Sequence, residues 1–150
     1  MSKPVYFELY QKGELKQRID EAFKRLKSCL ICPRKCGVNR LEGEKGFCRV
    51  GKLPIVSSYH SHFGEERPLV GTHGSGTIFF TYCNLRCLYC QNYTISHLGE
   101  GKEASFEELA QMMLYLQNLG CHNINFVTPT HVVPQILAAL ELAIAGGLNI

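Results

Sequence analysis

The stretch Thr77-Ile78-Phe79-Phe80-Thr81-Tyr82-Cys83-Asn84-Leu85-Arg86-Cys87-Leu88-Tyr89-Cys90 decides how this chain is read. Its first six residues are β-branched and aromatic with little alternation, the pattern of a strand covered on both faces. Directly after it come three thiols in eight residues, spaced Cys-x3-Cys-x2-Cys. Soft thiolates favour zinc or iron–sulfur clusters, and a set of four would saturate either kind of site. Three thiolates on one short loop can instead each hold one iron of a [4Fe-4S] cluster, leaving the fourth iron open to another ligand. The competing reading is a zinc site that borrows a fourth ligand from His97 or Cys121.

Downstream, Ser105-Phe106-Glu107-Glu108 reads as a capping box with Ser105 as N-cap. Leu109, Met112, Met113, Leu116 and Leu119 follow at helical spacing until Gly120. Asn123 to Thr128 predicts a second strand, and His131 to Ala145 a helix with Pro134 in its first turn, stopped by Gly146-Gly147. Leu148-Asn149-Ile150 is expected to begin a third strand. The alternation of strand and helix implies an α/β fold with a parallel sheet built of right-handed crossovers. No helix or polar tail closes the last unit, so the chain is expected to be the first part of a longer protein.

Upstream, Glu14 to Lys27 carries Leu15, Ile19, Ala22, Phe23 and Leu26 at spacings of three and four, which predicts an amphipathic helix. Periodicity stops at the turn-rich stretch Cys29 to Lys52, where Cys29, Cys32, Cys36 and Cys48 place four thiols in twenty residues. Four ligands close a site. The two occupants that suit it are a structural zinc, which the full coordination sphere favours, and a second iron–sulfur cluster able to relay electrons. Short extended pieces are expected at Leu53 to Tyr59 and Pro68 to Val70, before a glycine-studded approach to the decisive strand. His60, His62 and His73 show neither helical i, i+4 pairing nor a carboxylate partner, so they read as polar or substrate-side groups rather than metal ligands. Glu65-Glu66 reads as a solvated turn, and Arg67 as a weak candidate for binding a carboxylate or phosphate.

The length, 150 residues, suits one core or a core with a small appendage. With 45% hydrophobic and 19% charged residues the chain can bury a core, which excludes a disordered linker. Met1 to Tyr10 does not resemble a secretory signal, and the apolar run Ile136 to Ile150 is interrupted by Glu141 and two glycines and is too short to span a bilayer. A cytoplasmic protein with no membrane contact is expected, and there eight cysteines read as metal ligands or redox groups rather than disulfides. Residues 1–75 hold fourteen Lys or Arg against eight Asp or Glu, and residues 76–150 two against five. The basic residues are scattered rather than striped, so a solvated surface is preferred over a nucleic-acid face.

The Cys83/Cys87/Cys90 motif, with Tyr89 in the aromatic place, resembles the radical S-adenosylmethionine superfamily, whose signature is Cys-x3-Cys-x-aromatic-Cys after the first barrel strand. Gly74-Ser75-Gly76-Thr77-Ile78-Phe79-Phe80, Cys83-Asn84-Leu85-Arg86-Cys87 and Cys90-Gln91-Asn92 together are similar to proteins related to the pyruvate formate-lyase activating enzyme. The resemblance covers residues 29–150. It implies that residues 71–150 are the first part of a partial (β/α)6 TIM-like barrel, preceded by a helix and Cys-rich metal-binding module over 1–70. It also implies that Cys83, Cys87 and Cys90 ligate a [4Fe-4S] cluster whose open iron takes the amino and carboxylate groups of S-adenosylmethionine, with Tyr89 near the adenine. Homolysis of the sulfonium would give methionine and a 5′-deoxyadenosyl radical that abstracts hydrogen from a substrate. The partners implied are an electron donor such as flavodoxin or ferredoxin and a substrate: a protein receiving a glycyl radical, a modified side chain or a small molecule.

Related proteins also show a similar Cys-x2-Cys-Pro-Arg-x-Cys-Gly opening, which supports a bound metal at Cys29, Cys32, Cys36 and Cys48. One departure stands out. Where activating enzymes carry Gly-Gly-Glu-Pro at the end of the second strand, this chain reads Val127-Thr128-Pro129-Thr130-His131. The hydroxyls of Thr128 and Thr130 have lone pairs for the cofactor ammonium, although Thr130 also suits a helix cap. His131 reads either as a proton donor or cofactor contact or as a structural helix-start residue, and Cys121 as a buried small hydrophobe. The alternative to the whole scheme is a non-catalytic interaction module with zinc at both cysteine groups.

Overall fold

A computed structural model describes residues 4–150. Met1, Ser2 and Lys3, which open the segment 1–70 and the stretch read for a leader, lie outside the described residues. Two helices begin the described chain, α1 (Tyr6–Gln11) and α2 (Glu14–Lys24), separated by Gly13 in a left-handed conformation. The expected amphipathic helix is therefore present, ending three residues earlier than its pattern suggested. Its apolar stripe, Leu15 and Ile19, packs with Ile144 in a small second core. An irregular stretch with one 3-10 turn (Arg40–Glu42) leads to β1 (Ile55–His62).

The decisive strand forms as β2 (Ser75–Phe80), followed by β3 (Lys102–Glu103), α4 (Phe106–Asn118), β4 (Ile124–Val127) and α5 (Val133–Ala145). The capping box of α4 is complete. Glu108 N–H donates to Ser105 Oγ at 3.1 Å and Ser105 N–H to Glu108 Oε2 at 2.6 Å. The helix from His131 to Ala145 is split: a 3-10 turn (Thr130–Val132) precedes α5, and Pro134 sits in the first turn of α5.

The sheet is mixed, in the order β3-β1-β2-β4. β2 and β4 run parallel with α4 between them in sequence, as the strand–helix–strand pattern requires, but β1 pairs antiparallel with both β2 and β3. The expectation of a parallel sheet is corrected here. Parallel pairing needs a long crossover, whereas β1 reaches β2 through a link whose one helix, α3 (Arg67–Val70), is a single turn. That turn corrects a second expectation, an extended Pro68–Val70: proline's fixed φ suits a first helical turn, where its missing N–H costs nothing. The third strand expected at Leu148–Ile150 is also absent. Leu148 is buried in the main core and the Ile150 carbonyl accepts from Tyr6 Oη at 2.7 Å.

The main core lies between the sheet and the α4/α5 layer, with Ile78, Phe80, Leu109, Met113, Leu116, Val132 and Ala139 among its buried members. β1, on the N-terminal side of residue 70, shares this sheet, so the segments 1–70 and 71–150 are joined through strand pairing. Among the described residues no helix is long and apolar enough to cross a membrane.

Candidate functional site

Side chains at the C-terminal ends of parallel strands are where such sheets place their chemistry. The chain leaves β2 at Phe80 and enters the thiol loop through Tyr82, whose φ of 53° is left-handed. Gly99, also left-handed, lies against the Tyr82 ring so closely that a Cβ there would overlap it. Arg86, immediately before Cys87, has φ 53° as well. Non-glycine residues in this region are uncommon, and two in five residues fold the loop back on itself.

The loop presents its thiols in graded exposure: Cys83 is buried, Cys90 half-buried and Cys87 exposed, and all three are free. Leu85 N–H donates to Cys83 Sγ at 3.4 Å, and Ser96 Oγ–H to Cys90 Sγ at 3.3 Å. Ser96 Oγ is also 2.7 Å from His97 Nδ1, so His97 reaches Cys90 only through Ser96. Cys121, the other fourth-ligand candidate, sits just before β4 at the opposite edge of the parallel pair, in contact with Ser61 Oγ and the His73 carbonyl. Leu88 and Tyr89 are 97% and 91% exposed at the loop tip. Arg86 Nε and Nη2 are buried without a hydrogen-bond partner.

The exit of β4 lies beside this loop. Thr128 has φ 56°, a strained conformation for a β-branched residue. His131 is 1% exposed, and its Nε2–H donates to the Thr81 carbonyl at 3.0 Å, tying the two strand exits together. Burial lowers the His131 pKa to about 4; the Thr81 hydrogen bond opposes this, Arg40 adds to it and the Thr128 backbone opposes it. Thr130 is exposed and lines a groove with Arg18, Glu21 and Arg25 of α2 and its flank, which none of the three loop cysteines enters. It makes no side-chain cap to the helix that follows.

The N-terminal thiols occupy a different setting. Cys29 and Cys48 are buried, Cys32 is half-buried and Cys36 exposed, and all four line a cavity of ≈ 10 Å³ together with Arg40 and His131. Burial pushes the Cys48 thiol up; the Val50 backbone and Arg40 pull it down, and Cys29 and Cys32 push it up. Cys36 Sγ accepts from Phe47 N–H at 3.4 Å, and a Cβ on Gly46 would fall 2.8 Å from Cys36 Cβ, so only glycine fits there without displacing the thiol. Among the described residues no three His, Cys, Asp or Glu side chains already converge on one metal position.

Three residues with no role in the sequence reading join these regions. Arg34, from the Cys32–Cys36 turn, donates from Nε to the Asn84 carbonyl at 2.9 Å and from Nη2 to the Leu85 carbonyl at 3.2 Å. Its guanidinium lies 3.9 Å from the Phe47 ring centroid, and that of Arg86 lies 4.7 Å from the same ring. Arg40, 1% exposed, donates to the Gly51 carbonyl at 3.0 and 3.2 Å and to the His131 carbonyl at 2.8 Å. The only local signal for Arg34 was its place in the Cys-Pro-Arg-x-Cys string; Arg40 and Phe47 carried none.

Residues 77–148 match the model of the Radical SAM superfamily. The chain is 36% identical over 133 residues to "Uncharacterized protein MJ0674" of Methanocaldococcus jannaschii, covering 83% of this chain and 37% of that protein. It is 36% identical over 131 residues to "Uncharacterized protein MJ0808" of the same organism, covering 72% of this chain and 35% of that one. The chain thus spans little more than a third of the length of these relatives. No solved structure matches it.

Proposed function

From a chain whose residues 77–148 carry a Radical SAM superfamily domain, we propose a radical S-adenosylmethionine enzyme whose Cys83, Cys87 and Cys90 hold a [4Fe-4S] cluster. The observation that carries this reading is the set of three free thiols on one folded loop at the exit of β2. The donor set suits the group: three sulfurs, one buried, one half-buried and one exposed, leave one iron of a cubane without a protein ligand. When bound, the cluster supplies the electron that cleaves S-adenosylmethionine to methionine and a 5′-deoxyadenosyl radical.

The chain's own residues orient and screen the site. The N–H of Leu85 and the hydroxyl of Ser96 donate to Cys83 and Cys90, and hydrogen bonds to cluster sulfurs raise the reduction potential. Arg86 adds a positive charge to the thiol loop, its guanidinium lying over the Phe47 ring. Thr128, held in a strained conformation at the β4 exit, is assigned to the cofactor ammonium, for which its hydroxyl carries acceptor lone pairs, where the Gly-Gly-Glu-Pro string is missing. Tyr89, exposed at the loop tip, is assigned to the adenine.

In this reading β2-α4-β4-α5 forms the first two units of a partial (β/α)6 barrel. The activating-enzyme-like activity, with a protein glycine as hydrogen donor and flavodoxin or ferredoxin as electron source, rests on the strings around Gly74–Phe80 and Cys83–Asn92. The test is anaerobic reconstitution with iron and sulfide. Broad visible thiolate-to-iron absorbance, four irons per chain lost on changing the loop cysteines, and 5′-deoxyadenosine release by the full-length protein are expected. A colourless protein that retains only zinc after reconstitution overturns the proposal in favour of a zinc-binding interaction module.

A further inference from the structure

We propose that the N-terminal metal site is a single zinc held by Cys29, Cys32, Cys48 and His131, with Cys36 outside the ligand set. This rests on reading the N-terminal thiols as metal ligands, and it changes one of the four.

The first observation is the histidine. His131 comes from the sheet-bearing half of the chain, more than eighty residues from Cys48 in sequence, yet it lines the same cavity as the four thiols. It is 1% exposed. Its Nε2–H is committed to the Thr81 carbonyl at 3.0 Å, while its buried Nδ1 makes no hydrogen bond of good geometry, the Thr128 backbone being the polar group near it. A buried ring nitrogen without a good hydrogen bond is costly. A histidine whose second nitrogen donates to a backbone carbonyl has the arrangement that fixes the tautomer of a zinc ligand.

The second observation is charge. Arg40 is 1% exposed and lines the cavity, its Nη1 bridging the His131 carbonyl at 2.8 Å and Cys29 Sγ at 3.8 Å. Among the described residues no ion pair involves it and no buried carboxylate accompanies it. Buried charges need partners. Zinc with three thiolates and a neutral imidazole carries one negative charge, which the buried Arg40 guanidinium cancels.

The third observation separates the thiols. Cys29 and Cys48 are buried and Cys32 is half-buried, whereas Cys36 is exposed. The cavity, ≈ 10 Å³, holds about one water-sized sphere, which suits one ion rather than four irons and four sulfides. Three thiols and one ring nitrogen are the four donors that a tetrahedral, closed zinc site takes.

The test uses the chain carrying Cys87→Ala, so that the loop thiols do not hold metal, loaded with zinc and studied by X-ray absorption. The expected shell is three sulfurs at about 2.3 Å and one nitrogen at about 2.0–2.1 Å. Chelator competition should show His131→Gln weakening zinc by more than the roughly 10–100-fold that loss of an outer-shell partner costs, and Cys36→Ser leaving it unchanged. A four-sulfur shell, or zinc lost with Cys36→Ser, overturns the histidine assignment and keeps the metal. An iron–sulfur cluster at these thiols overturns the zinc assignment, and no metal bound at all overturns the metal reading itself.

Discussion

The two cysteine groups carry the same thiol donors in opposite surroundings. Around the N-terminal thiols a buried arginine, anchored on the Gly51 carbonyl, and a buried histidine line a small cavity. Around the 83–90 loop the thiols grade from buried to exposed, and two large apolar side chains stand out at the tip. Enclosure suits a metal that staples loops lacking their own core, since binding free energy at such a site is folding free energy. Exposure suits a metal that must receive another ligand. The two groups are nevertheless in contact, because Arg34 of the first binds two carbonyls of the second.

The most drastic way to break this comparison is Cys87→Ala. It should abolish iron binding at the loop while the N-terminal metal stays, as read by metal analysis of the purified chain. Loss of both metals together would show that the groups are one site rather than two.

Acid should distinguish them next. His131 has a folded pKa of about 4, below its ordinary 6.5, so the unfolded chain takes up the proton first. The associated stability is complete above pH about 6.5 and drains away as the pH falls to about 4, a loss of roughly 3 kcal/mol. Urea denaturation of the metal-free chain across that range should show it, and His131→Gln should flatten the profile. An unchanged slope in the variant would mean that the enclosed region is not the acid-sensitive one.

The smallest effect is expected at the junction. Arg34→Ala removes two hydrogen bonds and a cation–π contact, worth about 1 kcal/mol at this exposure. Its more telling readout is faster loss of loop iron to a chelator with the N-terminal metal unaffected. Equal lability in both proteins would show that the contact does not steady the loop.

Much of the fold was legible because local patterns and tertiary structure agree. The capping box at Ser105, the buried strand ending at Phe80 and the glycine stops at Gly120 and Gly146 each depend on neighbours a few residues away. The expected parallel sheet and the strand at Leu148 failed for the opposite reason: strand direction and pairing depend on what lies alongside, and β1 turned out to be an antiparallel neighbour. The thiols of both groups were equally plain, since cysteine spacing is local. Arg40 was invisible, because an arginine in a polar loop ordinarily points to water, and nothing near it in sequence announces carbonyls contributed by Gly51 and His131.

By itself the sequence determined the donor atoms and their spacing: three thiols in a motif that resembles a superfamily signature, four more in a turn-rich stretch, and the strand and helix that carry the first of these. Only the tertiary structure decided which groups share a cavity, because burial and charge pairing are properties of residues far apart in the chain. It placed His131, read from sequence as a helix-start residue, against the cysteines of the opposite half, and set a lone buried guanidinium between them.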